Sequence, residues 1–121
     1  MKPTLLMGAL ALLLVANPVR AGFADAVAAY DGGDYTTAMV ESLAAARQGD
    51  ADAQYLVGFL YMRGEGVRRD LGRAYQWFTL AARQGDRFAA DELEGITPQL
   101  NAAEISRAEA WASEWTAMSD D

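Results

Sequence analysis

The chain has no cysteine and no histidine, and its one lysine, Lys2, sits at the amino end. Without cysteine there is no disulfide, no thiol nucleophile and no thiolate zinc site. Without histidine there is no Ser-His-Asp triad, no imidazole metal ligand and no side chain that ordinarily titrates near neutrality. Basic residues are scarce as well: ten against seventeen acids give a net charge of −7 over 121 residues. A general nucleic-acid binder needs a basic face to neutralise phosphates, so that class is set aside. Prolines number three, and no β-branched alternation of any length occurs, so strands are not expected. What is abundant is apolar: 52% of the residues, enough for one small domain.

Residues 1–21 read as a signal peptide. Lys2 and the amino terminus form a short positive region, and Leu5 to Val15 is an apolar run. Asn17 and Pro18 then break the helix, and Val19-Arg20-Ala21 puts small residues where a signal peptidase would cut after Ala21. As a helix the apolar run measures about 16 Å, short of the roughly 30 Å hydrocarbon core, so no stable membrane anchor is expected after cleavage. Removal of residues 1–21 takes away Lys2 and Arg20 and leaves eight arginines, no lysine and a net charge of −9. A periplasmic or secreted location follows, in a bacterial setting.

The rest of the chain repeats itself. Ala45-Ala46-Arg47-Gln48-Gly49-Asp50 recurs letter for letter as Ala81-Ala82-Arg83-Gln84-Gly85-Asp86, 36 residues later. At the same offset Asp34 maps to Asp70 and Ala38 to Ala74, and a looser third copy places Ala89 and Leu93 at the slots of Ala53 and Val57. A period in the mid-thirties is the length of a helical hairpin with its turns. Asp50, Asp70 and Asp86 stand where helix N-caps belong, and Gly49 and Gly85 where helices end. Helices are predicted over 23–30, 35–48, 51–63, 71–84, 87–94 and 98–118, the last opened by Thr97 as N-cap and Pro98 at the first helical position. The fold class is all-α: antiparallel hairpins stacked as a short α-solenoid.

The central copy runs Ala53-Gln54-Tyr55-Leu56-Val57-Gly58-Phe59-Leu60-Tyr61, then Gly64-Glu65-Gly66-Val67-Arg68-Arg69-Asp70, then Ala74-Tyr75-Gln76-Trp77 and Ala81-Ala82-Arg83-Gln84-Gly85. This closely resembles a Sel1-like repeat, a relative of the tetratricopeptide repeat. The stretch from Ala29 to Ala38 resembles a shortened first repeat, and the third copy departs from the pattern, with Glu94 in the slot of Gly58. The domain division is then 1–21 signal peptide, 22–95 repeat region of about two and a half hairpins, and 96–121 capping helix with an acidic tail.

Each signature residue also has a physical task. Gly58 falls mid-helix, where glycine costs roughly 1 kcal/mol against alanine, so a close approach by the neighbouring helix is expected. Ala53, Ala74, Ala81 and Ala82 allow tight nesting, Gly64 and Gly66 permit a left-handed turn, and Val67 plugs the end of the core. Asp70 and Gly85 bound the second helix, while Tyr61 and Trp77 supply large buried surface. In the last helix Leu100, Ile105, Ala108, Trp111, Ala112 and Trp115 gather on one side, as a cap over the open end of the stack requires. A ligand-facing role for Trp111 and Trp115 is the sharper alternative.

Catalytic constellations are thin. Asp50 with Asp52, and Asp91 with Glu92 and Glu94, are close carboxylates, but acid–base chemistry needs one of a pair desolvated in a cleft. N-capping and a solvated helix face account for them. No calcium loop, P-loop or dinucleotide motif is present, so no cofactor and no metal are expected. In tetratricopeptide-like arrays the first helix of each hairpin lines a concave groove, and the resemblance therefore leaves Asp52, Tyr55, Phe59, Met62 and Arg63 as groove candidates. Those types are common at protein–protein hot spots; the plainer reading packs Tyr55, Phe59 and Met62 against the adjacent hairpin. The expected function is a non-catalytic adaptor or scaffold for a protein or peptide partner. Two alternatives stand beside it: a small envelope hydrolase, whose serine–lysine version fails for want of lysine after residue 21, and a self-associating structural protein, a homodimer in the simplest case.

Overall fold

The computed structural model describes residues 18–119, and the apolar run of residues 5–15 lies outside them. Every regular element among the described residues is helical: α1 (Pro18–Asp31), α2 (Tyr35–Arg47), α3 (Ala51–Arg63), α4 (Leu71–Arg83), α5 (Arg87–Ile96), a 3-10 turn (Thr97–Gln99) and α6 (Ala102–Ser119). One device starts four of them. The carboxylates of Asp34, Asp50, Asp70 and Asp86 accept from the amides of Thr37, Ala53, Arg73 and Ala89 at 2.9–3.2 Å, satisfying a donor that the first helical turn leaves orphaned.

Two helix starts differ from the sequence-based ones. Helix α1 begins at Pro18 instead of 23, because a proline without an N–H is tolerated in a first turn. Helix α6 begins at Ala102 instead of 98. Leu100 is extended (φ −115°, ψ 150°) and separates the 3-10 turn from α6. Asn101 and Glu104 then form a reciprocal capping box: the Glu104 amide donates to Asn101 Oδ1 at 2.8 Å, and the Asn101 amide to Glu104 Oε1 at 3.1 Å. That box, and not Thr97, is the cap; the Thr97 hydroxyl donates back to the Leu93 carbonyl at the end of α5.

Consecutive helices pack on each other from α1 through α5 as antiparallel hairpins, the zigzag of a short helical solenoid. Helix α6 packs across α4. Two apolar clusters result. One joins Ala38, Met39, Ala45 and Ala46 of α2 to Val57 and Leu60 of α3, Trp77 and Leu80 of α4, and Ala112 of α6, with Val67 packed beside it. The other joins Ala74, Tyr75, Phe78 and Ala81 of α4 to Ala89 and Ile96 of α5 and Ala108 of α6. Ala53, Ala74 and Ala81 are fully buried, whereas Ala82 is half-buried. The close approach lies at Gly58: a Cβ there would sit 2.7 Å from Cδ1 of the buried Phe78 ring, so α4 occupies the space a side chain would need.

A pair of glutamines ties the two copies of the repeat together. Gln54 is almost wholly buried and donates to the Ala46 carbonyl at 3.2 Å. Gln84 Nε2 donates to Gln54 Oε1 at 2.8 Å and to the Gly49 carbonyl at 3.1 Å. The second Ala-Ala-Arg-Gln-Gly-Asp segment thus holds the glycine of the first. Gln84→Ala leaves the buried Gln54 oxygen without its donor and is expected to cost about 1–2 kcal/mol in urea unfolding, well above the few tenths typical of a surface glutamine.

Candidate partner-binding face

Helices α1, α3 and α5 are the first helices of their hairpins, and their aromatic side chains meet in one strip. Tyr30 of α1 lies edge-on to Phe59 of α3, ring centroids 6.0 Å apart. Phe59 is 6.1 Å from Tyr55, one turn earlier on the same helix, and Tyr55 is 6.0 Å from Phe88 of α5. Tyr55 also rests on Phe78, 5.6 Å below, so the strip stands on the same ring that fills the space beside Gly58. The exposure is uneven. Tyr30, Tyr55 and Phe59 are half-buried, but Phe88 is 72% exposed. A phenylalanine so exposed beside other rings is an uncovered apolar patch.

Charge frames the strip. The Arg63 guanidinium lies over the Phe59 ring, 5.6 Å from its centroid, and its Nε donates to Glu65 Oε1 at 3.0 Å. The Tyr30 hydroxyl donates to the same oxygen at 3.3 Å. Partial burial and the Glu65 carboxylate hold the Tyr30 phenol above its ordinary pKa, and the hydrogen bond to Glu65 does the same for Tyr35. At the other end, burial and then the charges of Glu92 and Asp86 raise Tyr55. All three phenols therefore stay neutral hydrogen-bonding groups at physiological pH.

Of the five groove candidates, Tyr55, Phe59 and Arg63 lie in this strip. Asp52 is exposed in the first turn of α3, and Met62, like Tyr55, Phe59 and Tyr61, is half-buried against the second core cluster. Tyr61 faces α4, where Arg73 stacks 5.8 Å from its ring centroid. Sequence reasoning did not nominate Tyr30, Tyr35, Glu65 or Phe88. Phe88 was within reach, since it occupies the slot of Asp52 at the 36-residue offset; Tyr30 and Glu65 meet only through the turn of the hairpin.

That turn carries the decisive pattern. Gly64 ends α3 in the left-handed region, with its amide on the Leu60 carbonyl at 2.8 Å, and the Asp70 amide returns to the Tyr61 carbonyl at 3.0 Å. Residues 51–86, from the first residue of α3 to the N-cap of α5, match the Sel1 repeat family. The segment is a Sel1 repeat. Two relatives are similar to the chain. The alginate biosynthesis protein AlgK of Azotobacter vinelandii is 41% identical over 76 residues, 62% of this chain and 16% of that protein. The chitin synthase regulator SKT5 of Malassezia restricta is 37% identical over 62 residues, 51% of this chain and 4% of that protein. The chain thus spans a small fraction of either relative. Sel1 repeats generally mediate protein–protein interaction and serve as non-catalytic scaffolding. Among the described residues no group of three or more acidic, histidine or cysteine side chains is placed to hold a metal ion. No described helix is long and apolar enough to cross a membrane.

Proposed function

We propose that this protein is a non-catalytic adaptor that binds a protein or peptide partner through the α1–α3–α5 face, in the bacterial periplasm or at the cell envelope. The observation that carries the reading is the exposed Phe88 ring continuing the Tyr55–Phe59–Tyr30 strip. Aromatic and arginine side chains on a rigid helical face are the usual anchors of binding energy. Placement in the envelope rests on the signal-like residues 1–21.

The test is affinity capture from an envelope extract, comparing the parent protein with Phe59→Ala/Phe88→Ala. Truncating these two rings spares Tyr55, whose removal would loosen Phe78. Loss of the two anchors, about 2 kcal/mol together, is expected to weaken a captured partner at least tenfold while circular dichroism stays unchanged. Equal retention by the variant removes this face from the mechanism. Melting of the variant assigns Phe59 to the core. Absence of any partner, with melting that depends on protein concentration, favours self-association.

A further inference from the structure

The two ends of the aromatic strip are furnished differently. Toward α1 a guanidinium already lies on it: Arg63 sits over the Phe59 ring, 5.6 Å from its centroid, and pairs with Glu65 at 3.0 Å. A ring face and a neighbouring carboxylate hold a cation together, the ring through its quadrupole and the carboxylate through its charge. Toward α5 the same elements recur. The rings of Tyr55 and Phe88 are 6.0 Å apart, and Phe88 is largely exposed. Asp91 and Glu92 follow Phe88 by three and four residues, so all three lie on one side of α5. Asp86 caps the start of the same helix. Burial first, and then the charges of Glu92 and Asp86, raise the Tyr55 phenol, so both carboxylates are felt at the ring. Arg87 lies roughly 100° round the helix from Phe88. Among the described residues no guanidinium lies over Tyr55 or Phe88, and none of Asp86, Asp91 and Glu92 is ion-paired.

Charge selects the occupant. A second copy of this chain, itself of net charge −7, would set these carboxylates against their own kind, and like charges across an interface oppose docking. A neutral or acidic segment covering Phe88 would strip water from Asp91 and Glu92 and return no counter-charge. A basic segment gains on both counts. Arginine suits the position better than lysine, because a planar guanidinium stacks on a ring while its edge bonds a carboxylate. We propose that the segment docking on this strip is a basic peptide, one of whose arginines lies against Tyr55 and Phe88 and pairs with Glu92. Its apolar residues cover the remaining exposed ring surface. The inference rests on the α1–α3–α5 face being the docking surface and adds the chemistry of what docks there.

The probe is a phage-displayed library of random dodecapeptides panned on the purified protein, with enriched sequences remade as fluorescein-labelled peptides and titrated by anisotropy. The enriched peptides are expected to carry arginine beside a leucine or an aromatic residue. Replacement of that arginine by glutamine is expected to weaken binding about tenfold. Asp86→Asn/Glu92→Gln is expected to weaken it about as much and to flatten its salt dependence; asparagine keeps the cap, and circular dichroism verifies the fold. Glu41→Gln/Glu114→Gln changes the net charge equally on α2 and α6 and is expected to leave affinity unchanged. Equal losses in the two double variants overturn the proposal, because the attraction would then be that of an acidic chain as a whole. So does the absence of any enrichment. Enriched peptides without basic residues that are lost on Phe59→Ala/Phe88→Ala overturn it while upholding the face; an arginine peptide that binds Phe59→Ala/Phe88→Ala as well as the parent overturns both.

Discussion

Gly66→Ala is expected to remove much of the protein's stability. Gly66 has φ +74°, and a Cβ there would overlap the Tyr35 carbonyl group. The α3–α4 turn is therefore pressed against the backbone that opens α2, and backbone cannot rotate aside as a side chain end can. The left-handed conformation alone costs an alanine about 1 kcal/mol. Relief of the clash moves the turn outward, drawing Val67 from the first core cluster and Glu65 from Tyr30 and Arg63. The sum is about 4 kcal/mol, close to the lower end of the roughly 5–15 kcal/mol that holds an ordinary domain together. Gly85→Ala is the control. Its φ is +97°, but nothing lies within 4 Å of the added carbon, so about 1 kcal/mol is expected. Urea unfolding followed by circular dichroism separates the two; equal losses would mean that the turn is not locked against α2.

The second large effect is expected at Gly58. Alanine in place of a mid-helix glycine ordinarily gains about 1 kcal/mol. Here the first added carbon meets three atoms of the Phe78 ring at 2.7–3.1 Å, and that ring is fully buried with Tyr55 packed upon it. Gly58→Ala is expected to destabilise despite its helix propensity, and Gly58→Leu by at least about 3 kcal/mol, the upper range for overpacking. A cycle with Phe78→Leu identifies the cause. If the ring is the obstacle, the second substitution recovers about 1 kcal/mol or more of the loss when both are present. Simple additivity would place the strain elsewhere. Truncation of the exposed Phe88, by contrast, leaves stability nearly unchanged.

Legibility along the chain followed the range of the interaction. Asp50, Asp70 and Asp86 were readable because a cap bonds an amide three residues away, and the period of 36 was readable because it repeats letters. The start of α6 was misread because two local signals competed. Thr97-Pro98 has the form of a helix start, yet Asn101 and Glu104 satisfy two donors reciprocally and set the boundary. The aromatic strip was half visible: Tyr55, Phe59 and Arg63 share one helix, whereas Tyr30 and Phe88 come from the helices on either side. Glu65 joins the strip only because the hairpin turn swings it back over α1. Gln84 shows the same limit, since its sequence copy marks it as repeated but not as the donor to Gln54.

By itself the sequence determined an all-helical fold, its period, three of its aspartate caps and the glycine that had to meet a neighbour, for these follow from bonds within one or two turns and from a repeated length. Only the tertiary structure decided which ring fills the space beside Gly58, that α6 crosses α4 and brings all three tryptophans together, and that Phe88 remains exposed beside Tyr55. Those outcomes depend on how one helix seats on another, and a side chain tens of residues away enters that geometry without leaving a mark in the local pattern.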